Sequence, residues 1–144
     1  MNDSVPSHKR KNMQSNKAKG TSIEVLLGKA MHAEGLRYRK NNPKVYGKPD
    51  FTFKNLKIAI FCDGDFWHGK DWEIKKHDHK TNQDFWHAKI ENNMKRDEVV
   101  NFRLRQEGWI ILRFWESDLK NNLRSCIQSI LKAVHERKNN TRNL

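Results

Sequence analysis

Acidic residues are scarce in this chain: 17 Asp and Glu stand against 29 Lys and Arg among 144 residues, a formal charge of +12. So large an excess favours a polyanionic partner, nucleic acid before an acidic protein. Cysteine is scarcer still. Cys62 and Cys126 lie far apart and in no Cys-x-x-Cys pair, which excludes a disulfide framework and leaves two free thiols expected. Long apolar runs are missing too, since Ile58–Phe61 and Trp109–Leu112 fall far short of the roughly 20 residues that cross a bilayer. Met1 to Pro6 lacks the apolar segment of a secretory signal, so the expected location is the cytoplasm, at the nucleoid when on DNA.

What is present is a modest core and many rings. Apolar residues make up 35% of the chain, with five Trp and seven Phe, too aromatic for a purely disordered basic tail. The expected organisation is a basic arm over residues 1–20, one folded domain over 21–137 and a polar tail over 138–144. Thr21-Ser22-Ile23-Glu24 is a capping box opening a helix with an apolar stripe of Ile23, Leu26, Leu27, Ala30 and Met31, and Gly35 supplies its stop. Residues 36–39 are strand-like. Asp50–Lys54 and Lys57–Cys62 read as two strands of a hairpin turning at Asn55-Leu56.

A polar loop then runs from Gly64 through His79. Thr81 to Asp84 caps a long helical region reaching Glu107, expected to break once and to pack through Phe85, Ala88, Met94, Val99, Phe102 and Leu104. Trp109–Trp115 reads as a central strand. Ser117 or Asp118 is the expected cap of a last helix packed through Leu123, Cys126, Ile127, Ile130, Leu131 and Val134, with fraying after Arg137. The order of helix, three strands, helix, strand and helix is that of an α/β (α+β) domain.

Antiparallel pairing about Asn55-Leu56 places Asp50 roughly opposite Phe61, at the open end of the hairpin beside Cys62 and Asp63. A carboxylate at that end, a second acid or a backbone carbonyl, and His68 five residues on suit a hard cation and an activated water. Magnesium fits this set better than zinc. From spacing alone, an Asp after Pro at a strand start is a turn residue before it is a ligand, Glu24 is explained by its capping box, and His68 is a half-exposed polar residue. Composition and spacing reach as far as a basic α/β domain with a candidate phosphodiester site.

The motifs go further. Gly47-Lys48-Pro49-Asp50-Phe51, Ile60-Phe61-Cys62-Asp63-Gly64-Asp65-Phe66-Trp67-His68, Phe85-Trp86-x-x-Lys89-Ile90-x-x-Asn93-x-x-Arg96-Asp97 and Gly108-Trp109 with Trp115-Glu116 stand in order along the chain. Together with Lys11-Asn12-Met13 and Thr21-x-Ile23-Glu24, they resemble the very-short-patch repair (Vsr) DNA mismatch endonuclease family, over about residues 9 to 135. The resemblance implies a PD-(D/E)xK restriction-endonuclease-like αβββαβ core with a mixed central sheet flanked by helices. It also implies a magnesium-dependent enzyme, with one or two ions, that nicks one strand of double-stranded DNA beside a T·G mispair and works as a monomer.

Carried over by residue, the resemblance makes Asp50 the metal-binding carboxylate and the Cys62 backbone carbonyl a second ligand. His68 becomes the general base and Glu24 a supporting acid. Asp63 stands where a His is frequent in the family, and is expected either to repel phosphate or to join the metal ligands. Phe66, Trp67 and Trp86 match the family's wedge of rings, with Met13 entering from the opposite groove. Lys89 and Asn93, one helical turn apart, could both present donors to base edges, whereas Trp109 and Trp115 are expected in the core. Asp65, Lys70, Trp72 and Ser117 occupy places where the family commonly has zinc ligands, so no structural zinc is expected, and His77 and His79 without Cys partners make a poor substitute. Two other readings stay open: a restriction-type endonuclease on matched DNA, and a DNA-binding protein without activity.

Overall fold

The computed structural model describes residues 22–75 and 83–142. Helix α1 (Ser22–Ala33) leads to strands β1 (Arg39–Lys40), β2 (Phe51–Phe53) and β3 (Ile58–Asp63). A short helix α2 (Trp72–Lys75) precedes the long α3 (Gln83–Gln106), followed by β4 (Ile110–Trp115), α4 (Glu116–Asn121) and α5 (Leu123–Arg142). The four strands form one mixed sheet in the order β1-β2-β3-β4, with β3 and β4 parallel and the other pairs antiparallel. The αβββαβ order is the one expected, and it is consistent with a restriction-endonuclease-like fold. Among the described residues, no helix is long and apolar enough to cross a membrane.

The hairpin keeps the register that its short turn dictates. Phe51 pairs with Ile60 and Phe53 with Ile58, which brings Asp50, one residue before β2, to the level of Phe61. Alternation along β3 then separates two faces. Ile58 and Ile60 join Phe51, Phe53, Leu27, Met31, Ile127 and Ile130 in a large core under α1 and α5. Ala59 and Phe61 face the other way and meet Val45, Val100 and Leu104 under α3. Leu26, expected on the packed stripe of α1, is 38% exposed. Both cysteines are free thiols.

Four further expectations are corrected. First, α3 is a single unbroken helix, and its buried stripe is Ile90, Val100 and Leu104, whereas Phe85, Val99 and Phe102 are 61%, 56% and 65% exposed. Residues 90, 93, 97, 100 and 104 follow steps of three and four, so Asn93 and Asp97 lie on the inward stripe and the exposed rings on the outer one. Second, β4 is an edge strand rather than a central one, because a parallel partner reached through α3 joins the free side of β3. Third, Ser117 and Asp118 lie within α4, and α5 starts only after Asn122 interrupts the backbone (φ −134°, ψ 42°). Fourth, α5 continues past Arg137 to Arg142, since no Gly or Pro stops it. Thr21, expected as the helix cap, Met13, expected as a wedge residue, and His77 and His79 lie outside the described residues.

Candidate active site

The cleft lies at the open end of the hairpin, where α1, the β3 terminus, the following loop and α3 meet. It measures about 530 Å³ and is lined by Glu24, Asp50, Cys62, Asp63, Trp67, His68, Asn93, Asp97 and Arg113. Seven of these nine were expected from the sequence to serve catalysis, metal or DNA. Each is delivered by a different piece of local geometry. Glu24 sits in the first turn of α1, 6% exposed, because Ile23 and Leu27 on either side of it anchor that turn in the core. Asp50 leads into β2, and its Oδ2 accepts the Cys62 N–H at 2.7 Å across the hairpin.

That hydrogen bond fixes one carboxylate oxygen and leaves Oδ1 for another partner. Burial raises the Asp50 pKa to about 7; the Cys62 N–H opposes the rise, and the charges of Glu24 and Asp63 add to it. A cluster of negative groups that cannot comfortably ionise together is what a divalent cation relieves, and oxygen donors suit a hard ion. The donor set around Asp50 therefore fits the metal that the fold implies. Burial likewise pushes the Cys62 thiol up, so the side chain is a neutral thiol at physiological pH and its backbone is what it offers.

The second half of the cleft is a hydrogen-bonded relay. His68 Nδ1 lies 2.6 Å from Asp97 Oδ2 and 3.8 Å from Asp63 Oδ1. Burial by itself would lower the His68 pKa, but the hydrogen bond to Asp97 and the charges of Asp63 and Asp97 outweigh it and raise the value. Burial also raises Asp63, with His68 and Arg113 pulling the other way. Asp63 receives Arg113 Nη1 on both oxygens, at 3.1 and 3.2 Å. Asp63, His68 and Asp97 each offer one ligand atom within 4.8 Å of the others, the spacing of a candidate metal group.

Asp97 and Arg113 are the residues that sequence reasoning missed. Their signals were present: Asp97 keeps step with Ile90, Asn93 and Val100 on the helix, and Arg113 alternates with Ile111 on the strand face turned to α3. A polar residue in phase with buried neighbours is itself a pointer to a built site.

Rings gather at the mouth. Phe66, 41% exposed, meets Trp67 edge-on at 4.9 Å; Trp86 lies 5.3 Å from Trp67 and 5.2 Å from Phe85. Lys89 Nζ sits 5.1 Å from the centre of the Trp67 ring. Asn93 Nδ2 donates to the Trp67 carbonyl at 3.0 Å, so it holds the loop that carries Phe66 and Trp67. Trp109 packs half-buried against the smaller core, and Trp115 is half-buried at the end of β4.

The loop between His68 and α2 is tied down by polar contacts and one ring. Lys70 Nζ donates to Ser117 Oγ at 2.5 Å, the Ser117 N–H donates to Asp65 Oδ1 at 3.2 Å, and Trp72, 6% exposed, donates its indole N–H to Glu91 at 2.9 Å. Gly69 takes a positive φ of 75°, and the Met94 side chain fills the space a Cβ would need, so this turn after His68 favours glycine.

Comparison with known proteins gives consistent findings. Residues 2–74 match the family described as DNA mismatch endonuclease Vsr. The chain is 51% identical to the Type II nicking enzyme V.NmeDIP of Neisseria meningitidis serogroup C over 92% of its own length and 90% of that protein. It is also 51% identical to the Type II nicking enzyme V.HpaIIP of Haemophilus parainfluenzae, over 95% and 98% of the two chains. To the DNA mismatch endonuclease Vsr of Escherichia coli (strain K12) it is 30% identical, over 88% and 80%.

Proposed function

The chain belongs to the DNA mismatch endonuclease Vsr family and is a DNA endonuclease; from that premise we propose that it nicks one strand of duplex DNA beside a thymine mispaired with guanine, using magnesium. The observation that carries the reading is the pairing, in one cleft, of Asp50 among other anions with a His68–Asp97 relay. Asp50 and the Cys62 carbonyl would hold the metal, with Glu24 supporting the site from α1. When bound, the metal neutralises charge building on the scissile phosphate.

His68 acts on the water. With Nδ1–H donated to Asp97, the ring presents Nε2 as the basic nitrogen, ready to take a proton from water as its oxygen attacks phosphorus. Asp97 fixes that tautomer and stabilises the imidazolium that forms, and as the bond from phosphorus to the leaving oxygen breaks that oxygen takes a proton from solvent water. Asp63, held by Arg113, adds negative charge beside His68 and so favours its protonated state after the transfer.

Specificity comes from the rings. Phe66, Trp67 and Trp86 stand as a preassembled wedge beside the chemistry, with Lys89 over Trp67, and a base step is cheapest to open where pairing is already weak. The net charge of +12 supplies the attraction to phosphates, so affinity falls steeply with salt. Relatives that carry the name of nicking enzymes support single-strand cutting, and a chain that reads one mispair needs no second copy. The test is an end-labelled duplex with one T·G mispair beside its matched twin, with magnesium or EDTA. A magnesium-dependent nick near the mispaired T is expected; cutting of the matched duplex in both strands selects the restriction-type reading instead.

A further inference from the structure

Positive charge is not spread evenly over the chain. Between Glu34 and Asp50 there is no acidic residue, yet Arg37, Arg39, Lys40, Lys44 and Lys48 all fall there. All five are exposed, and among the described residues none of their side chains has an ion pair or a hydrogen bond. Helix α3 also carries five Lys and Arg but sets four Asp and Glu among them. Helix α5 is basic too. It covers the sheet face opposite α3, however, none of its residues lines the cleft, and Arg124 and Arg137 are engaged by Glu34 and the Gly108 carbonyl.

The backbone under those five charges is firmly built. β1 is the outer strand of the sheet, and the Asn41 N–H donates to the Asp50 carbonyl at 3.0 Å, so the chain leaves the strand at the level of the cleft. Asn42, 1% exposed, accepts the Lys44 N–H on Oδ1 at 3.0 Å in an Asx turn. Val45 is buried in the cluster under α3, and the Lys48 N–H donates to its carbonyl at 3.0 Å. Asn41 and Lys48 take positive φ angles of 49° and 50°, a conformation that costs a non-glycine residue energy and recurs at functional sites. Lys48 then lines the cleft, two residues before Asp50.

We infer that residues 37–48 form a preformed track for the DNA phosphate backbone, running from the edge of the sheet into the cleft and gripping the duplex on one side of the cut. A loop already ordered loses less entropy on binding, and cations with no acid beside them are open to phosphate. Such contacts place the duplex without reading its bases. Charges on an edge strand also discourage pairing with another chain, but Lys44 and Lys48 lie beyond the strand, where that role does not reach.

The inference rests on the cleft being where the strand is cut, and it is read by binding rather than by cutting, with the full chain on matched and T·G duplexes of equal length over a salt series. Each phosphate contact contributes about 0.9 to the slope of log K against log salt, so the triple variant Arg39→Gln, Lys40→Gln, Lys44→Gln should lose about 2.7 of that slope on both duplexes alike. Removing the same charge from α5, by Arg124→Gln, Lys132→Gln and Lys138→Gln together, should lower it by less than about 1, and Arg39→Lys should keep it. Trimming the duplex from one end should weaken wild-type binding sooner than trimming from the other, an asymmetry that the triple variant loses. Circular dichroism checks folding, and where the triple variant does not fold, each single substitution should lower the slope by about 0.9. A slope that falls no further than in the α5 variant overturns the inference and leaves the segment to an acidic protein. A fall on one duplex only also overturns it, in favour of base readout. A wild type that binds both duplexes but does not nick the T·G one overturns the proposed function instead, and the slopes still decide the track.

Discussion

Among the described residues, thirteen buried residues form one continuous cluster on the face of the sheet covered by α1 and α5, whereas the cluster under α3 has five. The first face is filled by Leu27, Met31, Phe51, Ile58, Ile60 and Ile130, each nearly or wholly inaccessible. The second turns Asp63 and Arg113 inward from the strands and Asn93, Asp97 and Asn101 inward from the helix, joined by hydrogen bonds. Apolar packing on one side stabilises the chain enough for the other side to hold charges near one another. A buried charge cluster is a poor source of stability, which fits the chemistry proposed for it.

The largest effect should come from the thin face. Asp50→Ala should reduce nicking by more than about 10³-fold while leaving DNA binding in place, as expected when charge stabilisation at the phosphate is lost. Equal loss of binding and cutting would remove Asp50 from its assigned role. His68→Ala should cost about 10²–10⁴-fold, the range of a lost general base. Asp97→Asn should cost less, about 10–100-fold. It should also move the acidic limb of the pH–rate profile downward, because the hydrogen bond to Asp97 is what raises His68.

On the thick face the effect is on stability. Leu27→Ala should lower the unfolding free energy by about 2–5 kcal/mol, read by urea denaturation, with nicking by the folded fraction unchanged. A variant that unfolds no more readily but cuts poorly would blur the division between the faces.

On the proposed assignment, metal and proton compete at Asp50, and the sign follows from the direction of its shift. The folded, metal-free protein holds a proton on Asp50 up to about pH 7, whereas the unfolded chain releases it near the ordinary value of 3.8. Stability from this group is therefore present at low pH and is lost as pH rises between those values. A bound metal takes over the proton's place, so the rise in melting temperature on adding magnesium should be larger at pH 8 than at pH 6. An equal rise at both would separate the metal from Asp50. The smallest effect is expected at the outer stripe of α3, where Val99→Ser and Phe102→Ser should each change stability by no more than about 0.5 kcal/mol.

How much of this was legible in the chain follows from how far apart the partners lie. Asp50, Cys62 and Asp63 are gathered by one tight turn over residues 54–57, so a period of two and a turn centred on Asn55-Leu56 were enough to bring them together. Glu24 and His68 came from motifs that resemble a family, since spacing alone explained both without chemistry. Asp97 and Arg113 were missed because 29 and 50 residues separate them from His68 and Asp63, and a charged residue on a helix or strand reads as solvated until its face is known. The face of α3 was misjudged because its rings, Phe85 and Phe102, outweigh in size the smaller residues that are buried. The edge position of β4 depended on which side of β3 was free, a property of topology that no local pattern carries.

The central claim, that this cleft nicks DNA at a T·G mispair through Asp50 and a metal ion, is tested most directly by purified protein on an end-labelled duplex with one such mispair, beside its matched control and the Asp50→Ala variant. The account predicts a single-strand nick near the mispaired T that needs magnesium and is absent from the matched duplex and from the variant. Tight binding to both duplexes with no product across several flanking sequences would contradict it.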